Sequence, residues 1–142
     1  MDARVLYALA EQENIEIAQF PMKENGSVSF ATDSGRCYIG MDSGILDGSV
    51  QERVHLAHEL GHCITGSFYN RYSNFDSRQR HENRADKWAI RQLITEDDLD
   101  QAVADGYTEV WELAELFGVT EQFMRKAICL YVHGNVAEEL YF

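Results

Sequence analysis

The segment His58-Glu59-Leu60-Gly61-His62 holds two histidines and a glutamate whose types and spacing can bind a metal ion and move a proton beside it. Residues four apart share one helix face, with Cβ atoms roughly 5–6 Å apart. Both imidazoles can then reach one ion at the roughly 2.0–2.1 Å of a zinc–nitrogen bond. Glu59 lies about 100° round the helix from His58, close enough to lean over an open coordination position. There a carboxylate can take a proton from water and pass it to a leaving amine. An HExxH string arises by chance about once in sixty chains of this histidine and glutamate content, so the motif needs support from elsewhere.

That support is Glu82-Asn83-Arg84-Ala85-Asp86, twenty residues after His62. A catalytic zinc takes three protein ligands and a water, and Glu82 on a second helix supplies the third. Asp86 stands one turn further along the same face, where it can accept the spare N–H of a ligand histidine, His58 first, and fix its tautomer. Taken alone, both acids read equally as solvated helix-face residues. Their distance from HELGH favours the metal reading.

These residues resemble the gluzincin arrangement, HExxH followed by ExxxD, and more narrowly the ImmA/IrrE family of small bacterial and phage-type metallopeptidases. The resemblance covers Val54 to His62, then Glu82 to Ala89 with its E-x-x-A-D-x-x-A pattern, and the helical segment ending in Leu93. Many members follow the second helix with Leu-Met-Pro, whereas this chain reads Leu93-Ile94-Thr95-Glu96. The resemblance implies a zinc endopeptidase with His58, His62 and Glu82 as ligands, Glu59 as general base then acid, and Asp86 orienting a ligand. It also implies a substrate, a helix-turn-helix repressor whose cleavage releases mobile-element, prophage or stress genes.

Composition sets the frame. At 142 residues and 45% hydrophobic content, the chain can bury one core, so a single domain over 1–142 is expected. It divides into an α+β catalytic core (1–94) and a helical C-terminal part (95–142). No apolar run approaches a membrane span, and Met1-Asp2-Ala3-Arg4 lacks the features of a signal peptide. Cys37, Cys63 and Cys129 are odd in number and lack CxxC spacing. They read as reduced, buried thiols, and the expected compartment is the cytoplasm.

Net charge is −12, unevenly spread. Gln92 to Met124 contains no lysine or arginine but holds Glu96, Asp97, Asp98, Asp100, Asp105, Glu109, Glu112, Glu115 and Glu121. Arg71, Arg78, Arg80, Arg84, Lys87 and Arg91 put half of the basic residues around Glu82. Such a chain repels a phosphate backbone, so the expected partner is a protein and not nucleic acid. The basic stretch can steer an acidic substrate segment; it reads equally as a solvated face balancing its neighbours.

Several elements must position the motifs. Val5, Leu6, Leu9 and Ala10 have helical spacing within 3–13. Ile15 and Ile17 alternate with acids up to Phe20-Pro21, a short edge strand. Val28-Ser29-Phe30 and Cys37-Tyr38-Ile39 flank the Asp33-Ser34-Gly35 turn as a hairpin, giving a short antiparallel sheet. Ser49 with Glu52 reads as a capping box, which predicts the motif helix over 50–64, with Gly66 just past its end. Gly61 inside that helix predicts a close approach by neighbouring backbone.

Residues 65–79 show no clear period and read as an irregular loop. Tyr69 or Tyr72 in it can donate to the oxyanion formed when a peptide carbonyl is attacked, or simply pack the loop. His55 borders the motif face, while His81 and His133 read as surface residues. Thr95 caps an acidic helix start. Residues 113–128 resemble a helix-turn-helix joined at Gly118, though its acids disfavour DNA.

The reading is therefore a cytoplasmic zinc endopeptidase of the ImmA/IrrE type. A non-proteolytic, zinc-containing regulator that binds a repressor or toxin is the alternative. Glu59 argues against it, because structural zinc sites fill the fourth position with protein.

Overall fold

The computed structural model describes residues 1–23, 26–70 and 72–136; Arg71 of the basic stretch and the Glu138–Phe142 tail lie outside them. In chain order come α1 (Ala3–Gln12), β1 (Glu16–Phe20), β2 (Ser27–Ala31), β3 (Cys37–Asp42), α2 (Val50–Thr65), α3 (Phe75–Leu93), α4 (Glu96–Ala104), α5 (Val110–Phe117) and α6 (Glu121–His133). This is the expected α+β order. Among the described residues no helix is long and apolar enough to cross a membrane.

The sheet is mixed. β2 and β3 form the expected antiparallel hairpin, with Ser29 opposite Ile39. β1 joins the other side of β3 and runs parallel to it, Ile17 opposite Ile39, giving the order β1-β3-β2. Alternation along a strand reveals which face is buried but not which neighbour it takes, so the parallel pair was not legible. As a result β3 is central and buried, and β2 is left at the edge beside α2.

Helix α2 is capped at both ends. Ser49 Oγ accepts the Glu52 N–H, but Glu52 does not close the box on Ser49. Its carboxylate takes the Gly48 N–H and the Tyr7 hydroxyl instead, tying α2 to α1. Gly66 ends the helix in the left-handed region at φ 67°, where a glycine carries no Cβ penalty. Further up, Gly61 meets α3 so closely that an added Cβ would overlap the Ala85 carbonyl oxygen and lie 3.0 Å from the Ala85 Cα. The missing side chain is what lets α2 and α3 touch.

Helix α3 starts earlier than its composition suggests. Residues 75–79, expected in a loop, form its first turn. Asn74 caps it by accepting the Ser77 N–H, and Asp76 suits the positive end of the helix dipole. Local capping chemistry outweighs a first turn that has no apolar stripe to bury.

One hydrophobic cluster unites the chain. Leu6, Ile39, Met41, Leu56, Leu60 and Ile90 from the first part share it with Leu113, Met124 and Leu130 from the helical end. Thr95 caps α4 and Thr120 caps α6. The α5–α6 turn is fastened to α2 by Arg53, which donates to the carbonyls of Phe117 and Gly118 at 2.8 Å each.

The cysteines depart from expectation. Cys129 is buried, but Cys37 and Cys63 form a disulfide between the start of β3 and the end of α2, with Cα atoms 5.9 Å apart. Cys63 turns away from the metal-motif face, as helix geometry requires, and that direction points it at the sheet. A bridge closing a loop of this length, a separation of 26 residues, restricts the unfolded chain by roughly 3 kcal/mol. Reduction should therefore lower the urea unfolding free energy by about 2–4 kcal/mol. Equal stability with and without reductant would remove the bridge from the folded protein.

Candidate metal centre

One turn of α2 and one of α3 bring three side chains together. His58 Nε2 and His62 Nε2 are 3.2 Å apart, with rings nearly perpendicular. Glu82 reaches both, Oε2 to His58 Nε2 at 2.9 Å and Oε1 to His62 Nε2 at 3.1 Å. Among the described residues these three form the group able to hold a metal ion. A tetrahedral zinc with bonds of about 2.0–2.1 Å needs ligand atoms roughly 3.3 Å apart, and the observed spacings come close to that.

The tautomers fit a cation as well. His58 Nδ1 lies 2.7 Å from Asp86 Oδ1, and His62 Nδ1 contacts the Ser67 carbonyl oxygen. A carboxylate and a carbonyl only accept, so each Nδ1 carries the proton. Both Nε2 atoms then converge on one point beside the Glu82 carboxylate, where a cation would take the place of the protons they otherwise share with it. Gly66 matters here, since its left-handed turn brings the Ser67 carbonyl back over His62.

Without an ion, the same carboxylates hold protons on the histidines. Burial opposes charge on His58, but its hydrogen bonds to Asp86 and Glu82 outweigh this and push its pKa up to about 10. Burial would raise the Glu82 pKa, yet the two histidines hold it well below the usual carboxylate range. Asp86 is also held low against its burial, by His58 and by Lys126, whose Nζ reaches Oδ2 at 3.0 Å. The site is thus built to attract positive charge.

A cleft of about 370 Å³ opens above these atoms, lined by Ser27, Val28, Ser29, His58, Glu59, His62, Phe68, Tyr69 and Glu82. Glu59 is buried there, its Oε2 accepting from Ser27 Oγ and its Oε1 from Ser29 Oγ, both at 2.7 Å. Tyr69 lines the cleft, where burial first and then the nearby Glu82 carboxylate raise its pKa. Its ring stacks on His81, with centroids 6.3 Å apart, and the Arg78 guanidinium lies over it, 5.8 Å from its centroid. Tyr72 is 80% exposed and does not line the cleft.

Of the other histidines, His55 borders the site through Ser27, at 2.8 Å from Nδ1. His133 is exposed, whereas His81 is only partly so, because its ring packs on Tyr69. Sequence reasoning overlooked Ser27, Ser29, Phe68 and Lys126. The serines did carry a signal, since residues two apart on a strand share a face.

Glu82 and Asp86 differ in position, and substitution should separate them. Glu82→Ala removes an atom from the cluster, while Asp86→Ala removes the His58 Nδ1 partner and the Lys126 ion pair but no cluster atom, and should weaken zinc binding by about 10–100-fold. Chelator competition checks this. Metal lost from the Asp86 variant but retained by the Glu82 variant would reverse the two assignments.

No curated protein matches the chain. The family model described as the IrrE N-terminal-like domain, a peptidase family, matches residues 10–128, from the end of α1 into α6. That span contains α2 and α3, the sheet beside them and the lysine that reaches Asp86 from α6. The chain therefore belongs to the IrrE N-terminal-like peptidase family.

Proposed function

We propose that this protein is a zinc-dependent endopeptidase whose substrate is a helix-turn-helix repressor. The observation that carries the reading is the convergence of two Nε2 atoms and the Glu82 carboxylate in a cleft that also holds Glu59. His58, His62 and Glu82 hold the ion, and Asp86 and the Ser67 carbonyl keep both imidazoles turned toward it. When bound, zinc supplies Lewis acidity, bringing the pKa of a coordinated water near 7 and polarising a carbonyl oxygen.

The remaining steps belong to side chains of the cleft. Glu59 accepts a proton from the attacking water on a carboxylate oxygen. It returns that proton to the amine nitrogen as the peptide C–N bond breaks. Tyr69, which lines the cleft, donates its hydroxyl to the substrate carbonyl oxygen as negative charge develops there. Phe68 and Val28 supply apolar walls to the cleft.

Partner recognition is assigned to a protein surface and not to DNA. Arg80 and Arg84 stand four apart and exposed on α3, next to Glu82. Arg78 is less suited to docking, since its Nε donates to the Ser73 carbonyl at 3.0 Å and its guanidinium covers Tyr69. The acidic α4 and α5 disfavour phosphate.

The deciding experiment incubates the zinc-loaded protein with a helix-turn-helix repressor, taken first from the products of the genes neighbouring its own, with and without chelator. Two repressor fragments that vanish with chelator are expected. An intact repressor that co-elutes with the protein would instead make it a binding regulator.

A further inference from the structure

Glu59 is 5% exposed, and a buried carboxylate needs donors on its oxygens. Here the donors come from the edge strand. Ser27 and Ser29 lie two apart on β2, so both side chains point to the same face, toward α2. Each hydroxyl meets a different oxygen of Glu59, both at 2.7 Å.

Ser27 makes one more contact, 2.8 Å from His55 Nδ1. His55 precedes Glu59 by four residues and shares its helix face. A serine hydroxyl has a single proton. With that proton donated to the carboxylate, the second contact must run from His55 Nδ1–H to Ser27 Oγ. Donation then passes in one direction, from His55 to Ser27 to Glu59.

We propose that Ser27, Ser29 and His55 form a clamp that fixes the plane of the Glu59 carboxylate for proton transfer. The proposal rests on Glu59 being the proton carrier. The terminal torsion of a glutamate is broad and roughly two-fold, so a lone carboxylate sweeps its lone pairs over a wide arc. Donors on both oxygens remove that freedom. A carboxylate offers about four lone-pair sites, and the clamp occupies one on each oxygen, leaving one on each for water and amine. Misplacing a reacting group by about 1 Å costs on the order of 10²-fold in rate. These three are positioning residues, and on this view the short hairpin serves to carry two hydroxyls to the base.

The test uses the full chain loaded with zinc. A peptide library read by mass spectrometry supplies a cleaved sequence, and a fluorogenic peptide of that sequence reports kcat and KM. Ser27→Ala combined with Ser29→Ala should lower kcat by about 10–100-fold, with KM within about threefold and zinc content unchanged. Ser27→Thr with Ser29→Thr, which keeps both hydroxyls, should recover most of the loss. A normal kcat in the alanine pair overturns the clamp. So does a loss confined to KM, which makes the serines substrate contacts. A second readout needs no substrate. Imidazole 1H–15N correlation spectra should show His55 protonated on Nδ1 in the wild type, with faster exchange of that proton in Ser27→Ala. A His55 protonated on Nε2 alone overturns the arrangement. Absence of cleavage by the wild type counts against the peptidase reading, and the His55 tautomer still decides the clamp.

Discussion

Glu59→Gln is expected to lower peptide cleavage by about 10²–10⁴-fold, the range that general acid–base assistance supplies, while zinc stays bound. Glutamine has nearly the shape of glutamate, so the packing of α2 against the sheet should survive. Its amide oxygen still accepts from one serine, and its NH₂ can donate to the other once that hydroxyl rotates. What it cannot do is accept the proton of a water and give it up to an amine. The measurement is kcat/KM on a fluorogenic peptide, with elemental zinc analysis on the same preparation. Wild-type cleavage by the variant would take Glu59 out of the mechanism. Loss of zinc would make Glu59 a ligand. Removing a clamp serine should cost less than removing the base, so the two experiments order themselves: Glu59→Gln sets the floor, and the serine variants fall between it and the wild type.

The placement of His58, His62, Glu82 and Asp86 was legible because a helix is a local ruler. Four residues make about one turn, so two histidines at that spacing must share a face wherever the helix goes. Glu82 and Asp86 obey the same rule on α3. Their meeting across the helices was also foreshadowed by Gly61, since a glycine inside a helix asks for a close neighbour, and that neighbour is the Ala85 backbone between the two acids. Contacts that depend on the third dimension alone were hidden. Nothing in the spacing of Ser27 and His55, or of Cys37 and Cys63, says that β2 and the start of β3 lie against α2. Lys126 is another such case, a residue in the acidic C-terminal part that reaches back to Asp86, the partner of His58. The tyrosines show the limit from the other side. Both were equivalent as sequence, and only the turn at Gly66 and the early start of α3 decide that Tyr69 faces the cleft and Tyr72 faces water.

His58→Ala and His62→Ala should each strip the metal from a protein that otherwise binds one zinc per chain. Three atoms able to bind a metal converge in the wild type, and either change leaves two, too few for a stable tetrahedral site with water. The consequence reaches stability, because an ion that binds only the folded chain stabilises it by mass action. Zinc at about a hundred times its Kd should raise the wild-type unfolding free energy by about 2.7 kcal/mol and leave both variants unmoved. His55→Ala is the matched control. It removes an imidazole from the same helix face, but one that bonds Ser27 and lies outside the His58–His62–Glu82 group, so zinc content should stay at one per chain. Elemental analysis after dialysis, paired with urea unfolding with and without zinc, measures both effects. Full occupancy in a His58→Ala/His62→Ala double variant, or loss of zinc from His55→Ala, would move the metal elsewhere and leave the convergent Nε2 atoms without a function.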